Sequence, residues 1–294
     1  MSRSLARAAL AAALVMSGLL AVSAPAASGA TAGGYDNPAC TPAPAHPYPV
    51  VLLHGLGGNG PGNMGLIGED LAAAGYCTFD TTYGEEDGIP AGGLIDVNTS
   101  AQQIEAFITQ VRAETGAAKV DIVGHSEGGF ESLYVPKVFH LGSEVSRIVA
   151  LAPPTHGTTF GGLVSVADTI NQRALVDSVL TTYGCVACDQ LIVGGSGIAA
   201  LDNGPITQPG VHYTVIASRS DELVTPHQSA LFGTTETAFI DEPGVDNEYV
   251  QSTCPLDPVG HIGLAYDSDV EQMIANALDP AAATAVSCSV GPPF

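Results

Sequence analysis

A serine flanked by glycines, between an apolar run and a helix-forming stretch, constrains this chain most. Residues 124–128 read Gly-His-Ser-Glu-Gly; a largely apolar run at 120–123 precedes them, and residues 129–134 favour a helix. A strand, a five-residue turn and a helix in this order form an elbow that presents a serine at a helix N-terminus. The turn strains the serine backbone and requires the flanking glycines, because a Cβ there would collide with the neighbouring strand or helix. The sequence therefore predicts that Ser126 is a nucleophile.

A serine hydroxyl needs an imidazole to remove its proton and a carboxylate to orient that imidazole. In α/β-hydrolases, where this elbow is typical, the acid and then the histidine follow the serine along the chain. Five of the eight histidines precede the serine or follow it too closely to leave room for an acid-bearing strand: His46, His54, His125, His140 and His156.

Three histidines remain, and their surroundings separate them. His212 stands at the start of a predicted strand. His227 comes only six residues after the best candidate acid, and we interpret it as a surface histidine. His261 lies in a loop with a glycine on either side, just before a terminal helix that begins near Tyr266. Such a loop can bring an imidazole over the elbow, so His261 is the predicted base.

The acid is predicted from its position at the end of a strand. Residues 212–217 form a β-branched, buried strand, and the loop 218–226 lies beyond its carboxyl end. Ligands of open α/β sheets bind at that edge. We therefore expect Asp221 to be the acid, with Glu222 as the neighbour that is easily mistaken for it. Three other acids are interpreted as turn or surface residues: Asp202, Asp241 and Asp257.

A fourth element is an oxyanion hole. A buried strand at 49–53 runs into the glycine-rich loop 54–58. Glycines in such a loop let backbone N–H groups face a developing alkoxide. The expected donors are the N–H of Glu127, directly after the nucleophile, and the N–H of Leu56, directly after the His-Gly pair. An ordinary strand-to-helix turn is the alternative, which the presence of the elbow disfavours.

Four motifs, taken together and in order, resemble the secreted bacterial class 2 lipases, in particular the actinomycete triacylglycerol lipases. They lie at residues 51–58, 124–129, 220–226 and 260–264. The resemblance covers essentially all of the chain after its first 30 residues. It implies a small α/β-hydrolase that acts on carboxylic esters of lipids, with Ser126, Asp221 and His261 as its triad. We expect no cofactor and no metal ion.

One residue departs from many bacterial lipases: Glu127 occupies a position where Met or Gln is frequent. A carboxylate there would complement the helix dipole, and it would favour the charged form of His261 if the two side chains approach each other.

The elbow alone is shared by esterases, cutinases, thioesterases and peptidases. The alternative enzymes are therefore a serine acyltransferase or peptidase on the same triad, or a polyester (cutin-type) esterase. A catalytically silent binding protein on this fold is the non-enzymatic alternative, which the intact serine, aspartate and histidine disfavour.

All six cysteines follow residue 30, and an even number in an exported chain indicates disulfide bonds. Cys185 and Cys188 have the spacing of a zinc or redox motif, but no second cysteine pair or nearby histidine completes a metal site. We interpret them as a small loop-closing bridge. The resemblance to class 2 lipases implies the remaining pairs, Cys40 with Cys77 and Cys254 with Cys288.

Residues 1–30 have the pattern of a signal peptide: two arginines, a short apolar run and then small residues. The apolar run is too short to span a bilayer, and cleavage is expected after Ala30 or after Ala26. We expect a secreted, extracellular monomer with a lipid or small ester as its substrate and with no stable membrane anchor. Cleavage removes two arginines and no acid, so the formal net charge goes from −22 to −24, which makes nucleic acid an implausible partner.

Strands and helices alternate along the rest of the chain. This predicts a single α/β domain at 31–294, with a mostly parallel sheet covered by helices on both faces. Strands are predicted at 49–54, 77–82, 119–124, 148–151 and 212–217, after an extended arm at 31–48. Helices are predicted at 63–74, capped by Asn63, at 100–115, opened by a capping box of Ser100 and Gln103, and at the C-terminal end.

Residues 155–210 break this alternation. The stretch is longer than a strand-to-helix connection needs, with helix-like pieces at 163–180. We expect it to be an insertion, after the strand that follows the nucleophile helix, that forms an acyl-binding wall or a lid. An inert surface excursion is the alternative.

Overall fold

Seven strands form one parallel sheet in the computed structural model, which describes residues 33–161, 185–228 and 234–294. The strands are β1 (Gly34–Tyr35), β2 (Val50–Leu53), β3 (Cys77–Thr81), β4 (Val120–His125), β5 (Val145–Leu151), β6 (His212–Ala217) and β7 (Val245–Tyr249). Their order across the sheet is β1-β3-β2-β4-β5-β6-β7, and each neighbouring pair is parallel. The predicted parallel sheet is confirmed.

Helices cover both faces of this sheet. Those of the described residues are α1 (Gly65–Ala73), α2 (Val97–Thr115), α3 (Glu127–Val138), α4 (Val186–Gln190), α5 (Ser196–Leu201), α6 (Val250–Thr253) and α7 (Ser268–Leu278). Successive residues of a strand point to opposite faces. Accordingly, Val51 belongs to the same buried cluster as Ile104 of α2, whereas Leu52 belongs to a second cluster with Ile67 of α1. The sheet is therefore buried on both sides, as its apolar strands predict.

Two edge strands differ from the prediction. β7 was not expected, because its sequence Val-Asp-Asn-Glu-Tyr lacks an apolar pattern, and only Tyr249 in it is buried. It pairs only with β6, so its polar side chains reach solvent. At the other edge, the arm predicted to be merely extended supplies the two-residue strand β1. β5 begins at Val145, three residues before its predicted start.

The N-terminus of α2 lies earlier than the predicted capping box. The helix begins at Val97, and the side chain of Asp96 caps it. Ser100 lies inside the helix and is fully buried. Gln103 accepts a hydrogen bond from the backbone N–H of Gly84, at 2.8 Å, instead of reaching back to the helix start. The predicted capping box is therefore wrong.

The predicted cap of α1 is also wrong. Asn59 caps the helical turn Gly60–Met64 that precedes α1, because its side chain accepts from the N–H of Gly62 at 2.8 Å. The Oδ1 of Asn63 instead accepts a hydrogen bond from the N–H of Gly55, at 2.7 Å. Asn63 thus belongs to the candidate active site.

Three disulfide bonds join Cys40 to Cys77, Cys185 to Cys188 and Cys254 to Cys288. The last of these ties the end of α6 to the C-terminal tail. The tail also bonds to the segment that carries His261, since the N–H of Gly260 donates to the carbonyl of Pro292 at 2.9 Å. This bridge therefore braces the segment around His261.

Removal of the Cys254–Cys288 bridge is expected to lower the free energy of unfolding by about 2–4 kcal/mol, since it closes a long loop. The two cysteines are 34 residues apart, against 3 for Cys185 and Cys188. We expect a double alanine variant of the first pair to lose clearly more stability in urea unfolding than one of the second pair. Equal losses would contradict this account of the bridge.

Two predicted segments, the signal peptide at 1–30 and the helical pieces at 163–180, lie outside the described residues. Within the described ranges, no helix combines the length and the apolar character that a bilayer crossing requires.

Candidate active site

The turn between β4 and α3 holds Ser126 in a strained conformation. β4 ends at His125 and α3 begins at Glu127, and the serine between them has φ 57° and ψ −119°. Residues other than glycine rarely adopt positive φ, and such strain concentrates at functional positions. The elbow that the sequence predicts is therefore present in the structure.

Both flanking glycines are required by close contacts between backbones. A Cβ on Gly124 would lie less than 3.0 Å from the carbonyl oxygen of Gly128. A Cβ on Gly128 would come equally close to the carbonyl oxygen of Leu53 in β2. Since neither carbonyl can move without displacing its element, the glycines allow α3 to pack directly on the sheet and hold Ser126 at its edge.

The three residues predicted as a triad lie in hydrogen-bonding contact. The Nε2 of His261 is 2.8 Å from the Oγ of Ser126, and its Nδ1 is 2.6 Å from the Oδ2 of Asp221. The other carboxylate oxygen of Asp221 accepts from the N–H groups of Leu223 and Val224, both at 2.8 Å. Asp221 and His261 are buried. This arrangement can move a proton from the serine to the imidazole while the carboxylate fixes the tautomer.

The two predicted oxyanion donors lie beside Ser126. Leu56 and Glu127 line the same cavity as the serine. Glu127 is the first residue of α3, where a backbone N–H has no intrahelical acceptor. In the described part of the chain, the N–H groups of Gly57 and Gly58 donate to backbone carbonyls, whereas that of Leu56 donates to none. Both amides are thus available to a substrate oxygen.

His125, which the sequence analysis excluded as the base, connects the parts of this site. Its Nδ1 lies 3.1 Å from the Oδ1 of Asn63, which also accepts from the oxyanion loop at Gly55. Its Nε2 lies 2.9 Å from the backbone carbonyl of His261. Complete burial lowers the pKa of His125 to about 3. The His125 ring therefore lies between Asn63 and the segment of His261, and as a neutral imidazole it donates to one of these two acceptors.

A cavity of about 410 Å³ opens over Ser126. The oxyanion loop and the serine form part of its wall, and its large apolar lining residues are Leu56, Phe160, Leu191, Leu223, Val224, Ile262 and Tyr266. Phe160 and Leu191 come from the predicted insertion. The cavity can therefore hold an apolar chain against the nucleophile.

The side chain of Glu127 does not have its predicted role. Both of its carboxyl oxygens are buried and have no hydrogen-bond partner among the described residues, and the same holds for those of Glu131 one turn later. Burial raises the pKa of both groups well above the usual range of a glutamic acid. Burial therefore disfavours the carboxylate form that the helix-dipole prediction requires.

This burial has a measurable consequence for stability. Above pH 4.5, the usual pKa of the group, the unfolded chain ionises Glu131 while the folded protein keeps its proton. The group therefore costs stability as the pH rises, by at most about 1.4 kcal/mol per pH unit, until its folded pKa is reached. We expect Glu131→Gln to gain stability relative to the wild type between pH 5 and 8, measured by urea unfolding. Parallel stability curves for the two proteins would contradict the raised pKa.

One acid and one histidine have other surroundings than predicted. Asp257 is buried, and its Oδ1 accepts from the N–H of Gly291 at 2.9 Å, so it is not a surface residue. Asp202 is exposed in a turn, as predicted, and its Oδ1 lies 2.8 Å from the Nδ1 of His156. His227 is half-buried, with its Nδ1 2.8 Å from Glu236, so the prediction of a surface histidine is wrong. Asp241 is exposed, as predicted, and Glu222 is exposed as well.

The sheet, the strained elbow and the hydrogen-bonded Ser, His and Asp define an α/β-hydrolase. Residues 47–253 match the family described as Lipase (class 2), and the chain belongs to this family.

Known relatives agree in class but differ in length. The chain is 30% identical over 144 residues to triacylglycerol lipases of Pseudarthrobacter phenanthrenivorans and Burkholderia plantarii. Each match covers 46% of this chain, and 42% and 37% of the respective relative, so the chain spans less than half of their length. The crystal structure of Aspergillus fumigatus lipase B superposes with a TM-score of 0.60 at 20% identity, covering 82% of this chain and 54% of that one. That likeness shows the shared fold.

Proposed function

We propose that this protein is a secreted serine hydrolase that cleaves the carboxylic ester bonds of lipids through an acyl-enzyme on Ser126. The observation that carries the proposal is the pair of hydrogen bonds made by His261, 2.8 Å to Ser126 and 2.6 Å to Asp221, beside an apolar cavity. Membership of the class 2 lipase family supports lipid esters as the substrates.

In the proposed acylation step, the Oγ of Ser126 attacks the ester carbonyl carbon while the Nε2 of His261 takes the hydroxyl proton. Asp221 stabilises the resulting imidazolium. The carbonyl oxygen becomes an alkoxide that accepts hydrogen bonds from the N–H groups of Leu56 and Glu127. As the bond to the alcohol breaks, the imidazolium returns its proton to the leaving oxygen.

Deacylation repeats the sequence with water as the nucleophile. His261 takes a proton from the water while the water oxygen forms a bond to the acyl carbon. The bond between that carbon and the Oγ of Ser126 then breaks as the imidazolium returns the proton to Oγ. The carboxylic acid leaves and ionises at neutral pH. Apart from the ester and the water, the two half-reactions use side chains and amides of this chain.

The proposal includes export of the protein. Residues 1–30 act as a signal peptide, and residues 31–294 form a single catalytic domain that works as a monomer outside the cell without a membrane anchor. Three disulfide bonds support this compartment, because such bonds persist in oxidising surroundings.

A series of p-nitrophenyl esters from acetate to palmitate, together with the matching anilides, tests the proposed reaction. Short and medium acyl esters should be hydrolysed fastest, long ones more slowly, and the anilides far more slowly than any ester. Preference for the anilides would indicate a peptidase. Product formed mainly by transfer to an added alcohol would indicate an acyltransferase.

Activity on tributyrin should rise smoothly through its solubility limit. The described part of the insertion is fastened to the rest of the protein, since the N–H of Ala187 donates to the carbonyl of Leu94 at 3.3 Å and the Oε1 of Gln190 accepts from the N–H of Val97 at 2.7 Å. We therefore expect a partly preformed acyl pocket. An abrupt increase in rate once droplets form, with little activity below that point, would show that a mobile lid controls access.

A further inference from the structure

His227 lies directly behind the proposed catalytic acid. Its Nε2 is in hydrogen-bonding contact with the backbone carbonyl oxygen of Asp221, and its Nδ1 is 2.8 Å from the Oε2 of Glu236. The side chain of Asp221 points the other way, to His261. One residue is thus held from both sides, through its carboxylate and through its carbonyl.

Both partners of the His227 ring are hydrogen-bond acceptors. A neutral imidazole has one N–H and can satisfy one of them, whereas an imidazolium donates to both. One of the two is the carboxylate of Glu236, whose side chain is 1% exposed. A buried carboxylate is costly unless a charge is paired with it. The geometry therefore favours the imidazolium form of His227.

The groups around His227 and Glu236 also favour the imidazolium form of His227. Glu236 also accepts the hydroxyl of Tyr249, at 2.8 Å, and the guanidinium of Arg219 lies 3.8 Å from the centre of the Tyr249 ring. Glu222 is exposed, and residues 229–233 contain no ionisable side chain. Among the described residues, Glu236 is accordingly the charged group in hydrogen-bonding contact with the ring, and Asp221 contacts it through its backbone carbonyl.

His125 offers a comparison within the same protein. It faces two uncharged acceptors, and its burial lowers its pKa to about 3. For His227, burial also acts to lower the pKa, but the hydrogen bonds to Glu236 and to the carbonyl of Asp221 outweigh it and raise the pKa to about 9. The difference lies in the buried carboxylate, which holds the second proton on His227.

We propose that His227, as an imidazolium paired with Glu236, is a positioning residue that holds the Asp221 backbone so that its carboxylate stays aligned with His261. The inference rests on the proposed function of this triad. Loss of the proton from His227 removes one of the two hydrogen bonds and leaves Glu236 unpaired. The carboxylate of Asp221 then moves out of alignment with His261. This slows the chemical step without changing the cavity that binds substrate.

Two variants test this role in the full-length mature protein. His227→Gln should lower kcat for p-nitrophenyl butyrate by roughly 10- to 100-fold, the effect of a small misplacement of a catalytic group, with KM little changed. The wild type should also lose kcat above about pH 9, where His227 deprotonates, and His227→Gln should lack this alkaline fall. Glu236→Gln keeps the shape but removes the charge, so it should move the fall to lower pH by at least about one unit.

His212→Gln is the matched control, because His212 is exposed at the start of β6. This variant should have the kcat and the pH profile of the wild type. A His227→Gln variant with wild-type kcat, or with an unchanged alkaline fall, would overturn the proposal. An NMR titration of the histidine rings gives an answer independent of activity. The His227 ring should titrate near pH 9, and titration near pH 6.5 or below would overturn the assignment even if the wild type hydrolysed no ester.

Discussion

Replacement of Ser126 by alanine is expected to lower the turnover of a soluble ester by about 10⁶-fold, the loss seen when a triad nucleophile is removed. The hydroxyl is the group 2.8 Å from the Nε2 of His261, and alanine supplies no atom that can form the acyl bond. The oxyanion donors and the cavity remain in place, so the residual rate should still exceed the rate in water.

Ser132→Ala is the matched control for this variant. Ser132 lies on the same helix, α3, but its hydroxyl donates to the carbonyl of Gly129 at 2.6 Å and does not contact His261. The turnover of Ser132→Ala should stay within a few-fold of the wild-type turnover. A Ser126→Ala protein that kept more than about a hundredth of the wild-type turnover would contradict the proposed nucleophile.

Replacement of Asp221 by asparagine is expected to lower kcat by about 10⁴-fold. The carboxylate accepts a hydrogen bond from the Nδ1 of His261 at 2.6 Å, which leaves Nε2 free to take the serine proton. An asparagine that turns its NH₂ toward His261 favours the opposite tautomer, which cannot act as the base. The measurement is the steady-state rate on p-nitrophenyl butyrate at pH 8.

Glu222→Gln separates the acid from its neighbour in the sequence. Glu222 is exposed, so the change should leave kcat close to the wild-type value. The reverse pattern, an active Asp221→Asn and an inactive Glu222→Gln, would show that the wrong carboxylate had been assigned to the triad.

The elbow and the three triad positions could be predicted because each depends on a short segment of sequence. The pentapeptide at 124–128 specifies its turn locally. Any strand, turn and helix with this geometry would bring backbone atoms close to the positions of the two glycines, which leaves no room for a Cβ. Asp221 and His261 follow from topology: loops after parallel strands meet at one edge of the sheet. These loops are far apart in the sequence, and the parallel sheet brings them together at that edge.

The polar connections between segments could not be predicted in this way. Asn63 looks like a helix cap in the sequence, yet it binds the oxyanion loop because the turn before α1 is capped by Asn59. Asp257 looks like a turn residue, and only the return of the C-terminal tail buries it. Likewise, nothing near His227 in the sequence shows that Glu236 is buried against it. Each of these contacts depends on tertiary packing.

Strand β7 and the buried acids Glu127 and Glu131 are two further features that could not be predicted from the sequence. An edge strand is fixed by pairing with its neighbour, so the polar sequence of β7 carries little signal of its own. The helix dipole predicts a carboxylate at Glu127, and Glu131 follows it one turn later on α3. Both side chains are buried instead, and burial raises the pKa of each carboxyl group.

Labelling with a p-nitrophenyl phosphonate tests the central claim most directly, since a phosphonate reacts with a serine activated by a neighbouring imidazole. We predict one phosphonyl group per protein molecule, mapped by peptide mass spectrometry to Ser126 alone, and no labelling of His261→Ala on the same timescale. Stoichiometric recovery of the label on any other serine would contradict the account.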